Sequence, residues 1–108
     1  MSVSSEIIVK AFIKTMNKLF LDAYLVKKGD NKSGEIFLKV SNLLGYAMLY
    51  SYRKSNINNP WEIYGSASWQ TDTDINKKLD KISSIDPDAW IIELEDKSGK
   101  FSSFKEES

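Results

Sequence analysis

The feature that most constrains this chain is a change of hydrophobic period at Ala23. Upstream, Ile8, Phe12, Thr15, Met16 and Leu19 fall on one stripe at helical spacing. This predicts a helix over roughly Glu6 to Leu21, capped by Ser4 or Ser5, with Glu6 at the positive end of the helix dipole. Lys10, Lys14 and Lys18 form a second stripe, read as a solvated edge rather than a membrane-binding face. From Ala23 the pattern is that of strands: Ala23–Lys28, Glu35–Ser41, Tyr46–Arg53 and Trp61–Trp69. Gly29-Asp30-Asn31-Lys32-Ser33-Gly34 is turn chemistry, which predicts a hairpin between the first two. Asn42 to Gly45 and the polar run from Ser55 to Pro60 separate the others, as in an antiparallel meander.

Helical spacing returns at Ile75, Leu79, Ile82 and Ile85. Thr71 or Asp72 caps this second helix, with Asp74 in the manner of a capping box. Asp86-Pro87-Asp88 stops it, because the residue before a proline is pushed out of the helical region. Trp90–Glu95 is a fifth strand. The expected architecture is one α+β domain over 1–108, in the order α-β-β-β-β-α-β. It consists of a four-stranded antiparallel meander plus a fifth strand, with both helices packed on one sheet face. Residues 1–4 and about 98–108, small, charged and poorly patterned, are expected to be flexible.

With neither cysteine nor histidine, the chain has no thiol or imidazole nucleophile, base or soft-metal ligand. Ser-His-Asp and Cys-His catalysis within it are excluded. A metal would have to be a hard cation on carboxylates, and no cofactor is expected. Fifteen basic and fifteen acidic side chains balance, and Arg53 is the sole arginine. Neither a nucleic-acid nor a membrane partner is expected. The short polar start and the lack of a long apolar run point to the cytoplasm.

Three segments carry a likeness. They are Gly34-Glu35-Ile36-Phe37-Leu38-Lys39-Val40, Met48-Leu49-Tyr50, and Asp86-Pro87-Asp88-Ala89-Trp90-Ile91-Ile92-Glu93-Leu94-Glu95-Asp96. In that order, after an N-terminal helix and a Lys-Lys-Gly-Asp turn, the chain resembles the bacterial family known as domain of unknown function 1491. The resemblance runs from about Ile7 to Phe101, and the last segment is its most specific part. It implies one α+β domain and carries no activity, cofactor or catalytic residue with it.

Pro87-Asp88 with Glu95-Asp96-Lys97 has the spelling of a metal-dependent nuclease signature. However, Asp88 and Glu95 lie in one extended segment, about 23 Å apart at roughly 3.3 Å per residue, too far to share a metal. Glu93 and Glu95 share a strand face and form a better pair, with Trp90, Ile92 and Leu94 turned to the core. Lys39 is a candidate partner for one of them. Asp72-Thr73-Asp74 lacks the glycine and closing glutamate of a calcium loop. Gly65-Ser66-Ala67-Ser68 is no nucleophile elbow.

The aromatic residues of strands three and four weigh more. Two helices on one face would leave the other bare, yet both faces carry aromatics. The leading expectation is therefore a non-enzymatic binding or adaptor domain with a protein partner, or a homodimer, contacted through Tyr50, Tyr52, Trp61, Tyr64 and Trp69. The second is a magnesium- or calcium-dependent enzyme or metal binder centred on Asp86, Asp88, Glu93 and Glu95. The third is a weak binder of single-stranded nucleic acid stacking on the same aromatics.

Overall fold

A computed structural model describes residues 3–107. Helix α1 (Ser5–Lys18) precedes strands β1 (Asp22–Lys27), β2 (Ile36–Ser41), β3 (Tyr46–Tyr52), β4 (Trp61–Ile63) and β5 (Gln70–Thr71). Helix α2 (Asp72–Ile85), strand β6 (Trp90–Glu95) and helix α3 (Lys100–Glu107) complete the chain. The α+β class, the N-terminal helix, the second helix and the order in which they alternate with strands are as expected.

The strand pairing is not a four-stranded meander. The sheet runs β1-β6-β2-β3-β4, with β5 on β3. β6 enters between β1 and β2, antiparallel to the first and parallel to the second. Only β2-β3-β4 keep the meander. The reason lies in β6 itself. Trp90, Ile91, Ile92 and Leu94 are all buried, so its apolar residues fill both faces, and such a strand belongs in the middle of a sheet.

The helices likewise do not share a face. Val9, Phe12 and Met16 of α1 pack with Ile36, Leu38, Val40, Ile92 and Leu94. Ile75 and Leu79 of α2 pack on the opposite side with Phe37, Leu49 and Ile91. Each strand in the centre thus buries alternate residues into two separate cores, and all six residues of β2 are buried. The buried stripe of α1 is Ser5, Val9, Phe12 and Met16, whereas Thr15 and Leu19 are exposed. Ile85 is exposed at the end of α2.

The segment Trp61–Trp69 is not one strand. Tyr64 donates its N–H to the Leu49 carbonyl, Gly65 turns at φ 87°, and the chain returns at Gln70–Thr71 to pair with Tyr46–Ala47. The C-terminal segment expected to be flexible forms α3. The Asp96 carboxylate accepts the N–H groups of Lys100 and Phe101, each at 2.9 Å, and Phe101 is buried. Phe101 reaches the core as one ring of an aromatic cluster with Phe12, Tyr50 and Trp61. Met1, Ser2 and Ser108, also expected to be flexible, lie outside the described residues.

Candidate functional site

The sheet has two unlike ends. One holds the starts of β2 and β6, the end of β1 and the N-terminus of α1, and it is closed. Ser5 and Glu6 donate their backbone N–H groups to the carbonyls of Lys32 and Asn31, and the Ser5 hydroxyl donates to Gly34 O at 2.6 Å. Asp30 N–H donates to Asp88 O at 2.9 Å, and the Trp90 indole N–H donates to Asp30 O at 2.7 Å. The Lys27 ammonium donates to the carbonyls of Pro87 and Ala89. Gly29 and Gly34 are required because a Cβ at either would overlap the Asp88 carbonyl oxygen. The Asp30 carboxylate accepts from the Ser33 and Lys32 amides, which hold it below the usual carboxylate range. The Asp-Pro-Asp-x-Trp stretch and the Lys-Lys-Gly-Asp turn are thus two halves of one architectural corner.

The other end is the more open of the two. It collects the ends of β2 and β6, the start of β1 and the C-terminus of α1, and Asp96 there bonds to Ser41 O and caps the start of α3. Helix α1 finishes in a Schellman arrangement: Phe20 N–H donates to Asn17 O at 3.1 Å and Leu21 N–H to Met16 O at 3.0 Å. This geometry needs a left-handed residue after the cap, usually glycine, and here it is Phe20, at φ 63°. Phe20 is also 92% exposed. The β2–β3 turn repeats the pattern with Leu43 at φ 62°, held by Ser41 and Asn42 side chains and followed by the exposed Leu44. Among the described residues these two are the non-glycine residues with positive φ. β6 alone separates β1 from β2, so at about 4.8 Å per strand they flank a surface roughly 10 Å wide.

Beside Phe20 lies a shallow cleft of about 670 Å³ on the β1 margin, bordered by Asn17, Asp22, Tyr24 and Glu95. Asp22 sits directly opposite Glu95, and Tyr24 opposite Glu93, on the face that carries α2. The Tyr24 hydroxyl donates to Glu95 Oε2 at 3.4 Å. Partial burial first, then Glu93 and Glu95, push the Tyr24 phenol up to about 12. Glu93 has a cation within reach: the buried Lys39 ammonium is 3.8 Å from it, 3.2 Å from Asp72 and 3.1 Å from the Asn76 amide oxygen. Lys39 therefore ties the start of α2 to the sheet, and its expected pairing with a strand glutamate is borne out. Asp22 and Glu95 form no ion pair among the described residues.

The aromatic face expected from the sequence does not exist as one surface. Trp61 and Tyr50 are 4% and 6% exposed, covered by α1 and α3. Tyr52 is half-buried, edge-on to Trp61 at 4.9 Å. Tyr64 and Trp69 are exposed, and Tyr64 packs its ring on Phe37, on the side of α2. Two helices on two faces, rather than on one, leave no bare aromatic sheet. The acidic residues do not converge either. Asp86 accepts the Asp88 N–H at the closed end, while Glu93 and Glu95 lie further along β6. Among the described residues no acidic group of three or more is placed to hold a metal ion. Among the described residues no helix is long and apolar enough to cross a membrane. The residues that sequence reasoning missed are Phe20 and Leu43. The available signal was Leu19-Phe20-Leu21, an apolar run in which Phe20 falls off the helical stripe.

Comparison with known proteins agrees with this fold. Residues 3–102 match the family described as "Protein of unknown function (DUF1491)". The crystal structure of a DUF1491 family protein from Caulobacter crescentus CB15 is similar with 29% identity and a TM-score of 0.75, covering 92% of this chain and 90% of that one. The NMR structure of a DUF1491 family protein from the same organism gives 28%, 0.72, 92% and 90%. A protein from A. tumefaciens solved in solution shares the fold at 24% identity and a TM-score of 0.70, covering 92% and 91%. No curated protein matches the chain.

Proposed function

As the chain belongs to the DUF1491 family, whose description assigns no chemistry, we propose from its surface that it is a non-enzymatic protein-interaction domain of the cytoplasm, docking a partner through the open end of its sheet. One observation carries this reading. Phe20 and Leu43 are large apolar residues held in a backbone conformation that costs roughly 1–2 kcal/mol for an L-residue, and both are exposed at the same end. The Schellman hydrogen bonds and the Ser41 and Asn42 side chains hold the two turns, but these contacts leave the Phe20 and Leu43 side chains exposed, and a partner would bury them. Ile57 and Ile85 are also well exposed, but in relaxed backbone, as scattered surface hydrophobes are.

Site-specific photo-cross-linking in cells of the source organism tests the reading. A benzophenone side chain at position 20 is expected to capture a discrete protein species, and one at position 57 is not. Equal capture at both positions, or none at 20, overturns the reading.

A further inference from the structure

Resting on that reading, we propose that the partner presents an extended, basic segment, which adds to β1 as a new edge strand and seats a lysine or arginine side chain in the cleft between Phe20, Asp22, Tyr24 and Glu95. β1 is hydrogen-bonded to β6 on one side, and among the described residues no strand pairs with its other margin. The Ala23 N–H points to that margin, where its acceptor is the Asn17 side-chain oxygen at a long 3.4 Å. Strand alternation puts the polar groups of Leu25 on the same margin. Tyr24, Leu25 and Val26 are all exposed there. This is the geometry that strand addition uses, with backbone hydrogen bonds for affinity and pockets for alternate side chains.

Charge identifies the occupant. Carboxylates directly opposite one another on paired strands are destabilising, yet Asp22 faces Glu95, with Glu93 next on the same face. No cation lines the cleft. A cationic side chain there would meet two carboxylates without ion-pair partners among the described residues, and two aromatic rings suited to a cation. The Tyr24 phenol, held protonated, adds no third negative charge. A second copy of this chain fits the edge less well. Antiparallel self-pairing about the middle of β1 would set Asp22 opposite the second copy's Lys27, whose ammonium is already bonded to the Pro87 and Ala89 carbonyls.

Fluorescence anisotropy with three labelled eight-residue peptides tests this on the full chain: alternating lysine and valine, the same with serine for lysine, and the same with glutamate. The lysine peptide is expected to bind at least tenfold tighter than the serine peptide, and the glutamate peptide weakest. In an Asp22→Asn/Glu95→Gln variant, whose fold is checked by circular dichroism, the lysine advantage should fall to within about twofold. A lysine peptide that does not bind, that binds no tighter than the serine one, or that keeps its advantage in the variant overturns the proposal. If position 20 still cross-links a partner in that case, the interaction surface stands and only its basic ligand is lost. If position 20 captures nothing, the surface itself is wrong, whatever the peptides do.

Discussion

At the closed end of the sheet, Gly29 and Gly34 stand where a side chain would collide with the Asp88 backbone, whereas at the open end Phe20 and Leu43 stand where glycine would be relaxed. The first end uses the small residue that its packing demands. The second does the reverse, and its side chains remain in water. Residue choice follows folding at one end and departs from it at the other. Departures of that kind are where a binding role is best sought, because local rules of residue choice are broken most often at functional or strained sites.

The contrast is broken most directly at the closed end. Gly34→Ala should cost about 3 kcal/mol in urea-induced unfolding, since the overlap is with backbone rather than with a flexible side chain. A variant within experimental error of the parent would show that the corner can yield, and the distinction between the ends would fail. Trp90→Phe is the next largest. It removes the indole donor from Asp30 O at 2.7 Å and leaves a small void, and should cost about 2 kcal/mol by the same measurement.

The closed end was legible in the sequence as a motif but not as a structure. The Asp-Pro-Asp-x-Trp stretch signalled the family, yet Gly29 and Gly34 read as turn residues, so β1 and β2 were paired with each other. What separates them is β6, which arrives from the far end of the chain. Single-sequence alternation shows which residues face together, not which strands are neighbours. β6 itself was delimited correctly at Trp90–Glu95. The C-terminal helix was missed because it depends on Asp96, read only as part of an acidic run, and on Phe101, an isolated aromatic among small residues. The open end was invisible for a different reason. Phe20 stands off the helical stripe in Leu19-Phe20-Leu21, but that position alone does not mark a left-handed backbone, and the helix was extended past it to Leu21. The tyrosines and tryptophans drew attention by number, and Tyr50 and Trp61 proved to be ordinary core.

At the open end the sign of the effect should invert. Phe20→Gly relieves the left-handed strain but gives glycine more freedom to lose on folding, a net gain of roughly 0.5–1 kcal/mol. For a domain of this size that is a melting-temperature rise of about 2–6 °C in a calorimetric scan. A benzophenone side chain at position 43 should capture the partner in the parent and lose it in this variant. A stabilised protein that no longer binds would sharpen the contrast. A destabilised one would mean that Phe20 contributes to the fold and that its exposure has no bearing on function.

The smallest expected effect tests whether the carboxylates of the open end act together. The Tyr24 phenol lies at about 12 in the folded protein and near 10 when unfolded, so folding favours its neutral form. That contribution is complete below pH 10 and is lost as pH rises from 10 towards 12. Tyr24 is nearly half exposed, so solvent screening reduces the contribution to roughly 0.5 kcal/mol or less. Tyr24→Phe should therefore lose less stability than the parent between pH 10 and 12, in urea midpoints compared pH by pH. Lysine deprotonation, and the ionisation of Tyr50, which burial and then Asp96 also hold back, occur in both proteins and cancel. The Asp22→Asn/Glu95→Gln variant should shift the same way by a smaller amount, because burial and Glu93, the larger causes, survive in it and only the Glu95 contribution is lost. Identical alkaline profiles for all three would mean that Tyr24 does not sense its acidic neighbours, and the facing Asp22 and Glu95 carboxylates would then carry the case for a cationic ligand without it.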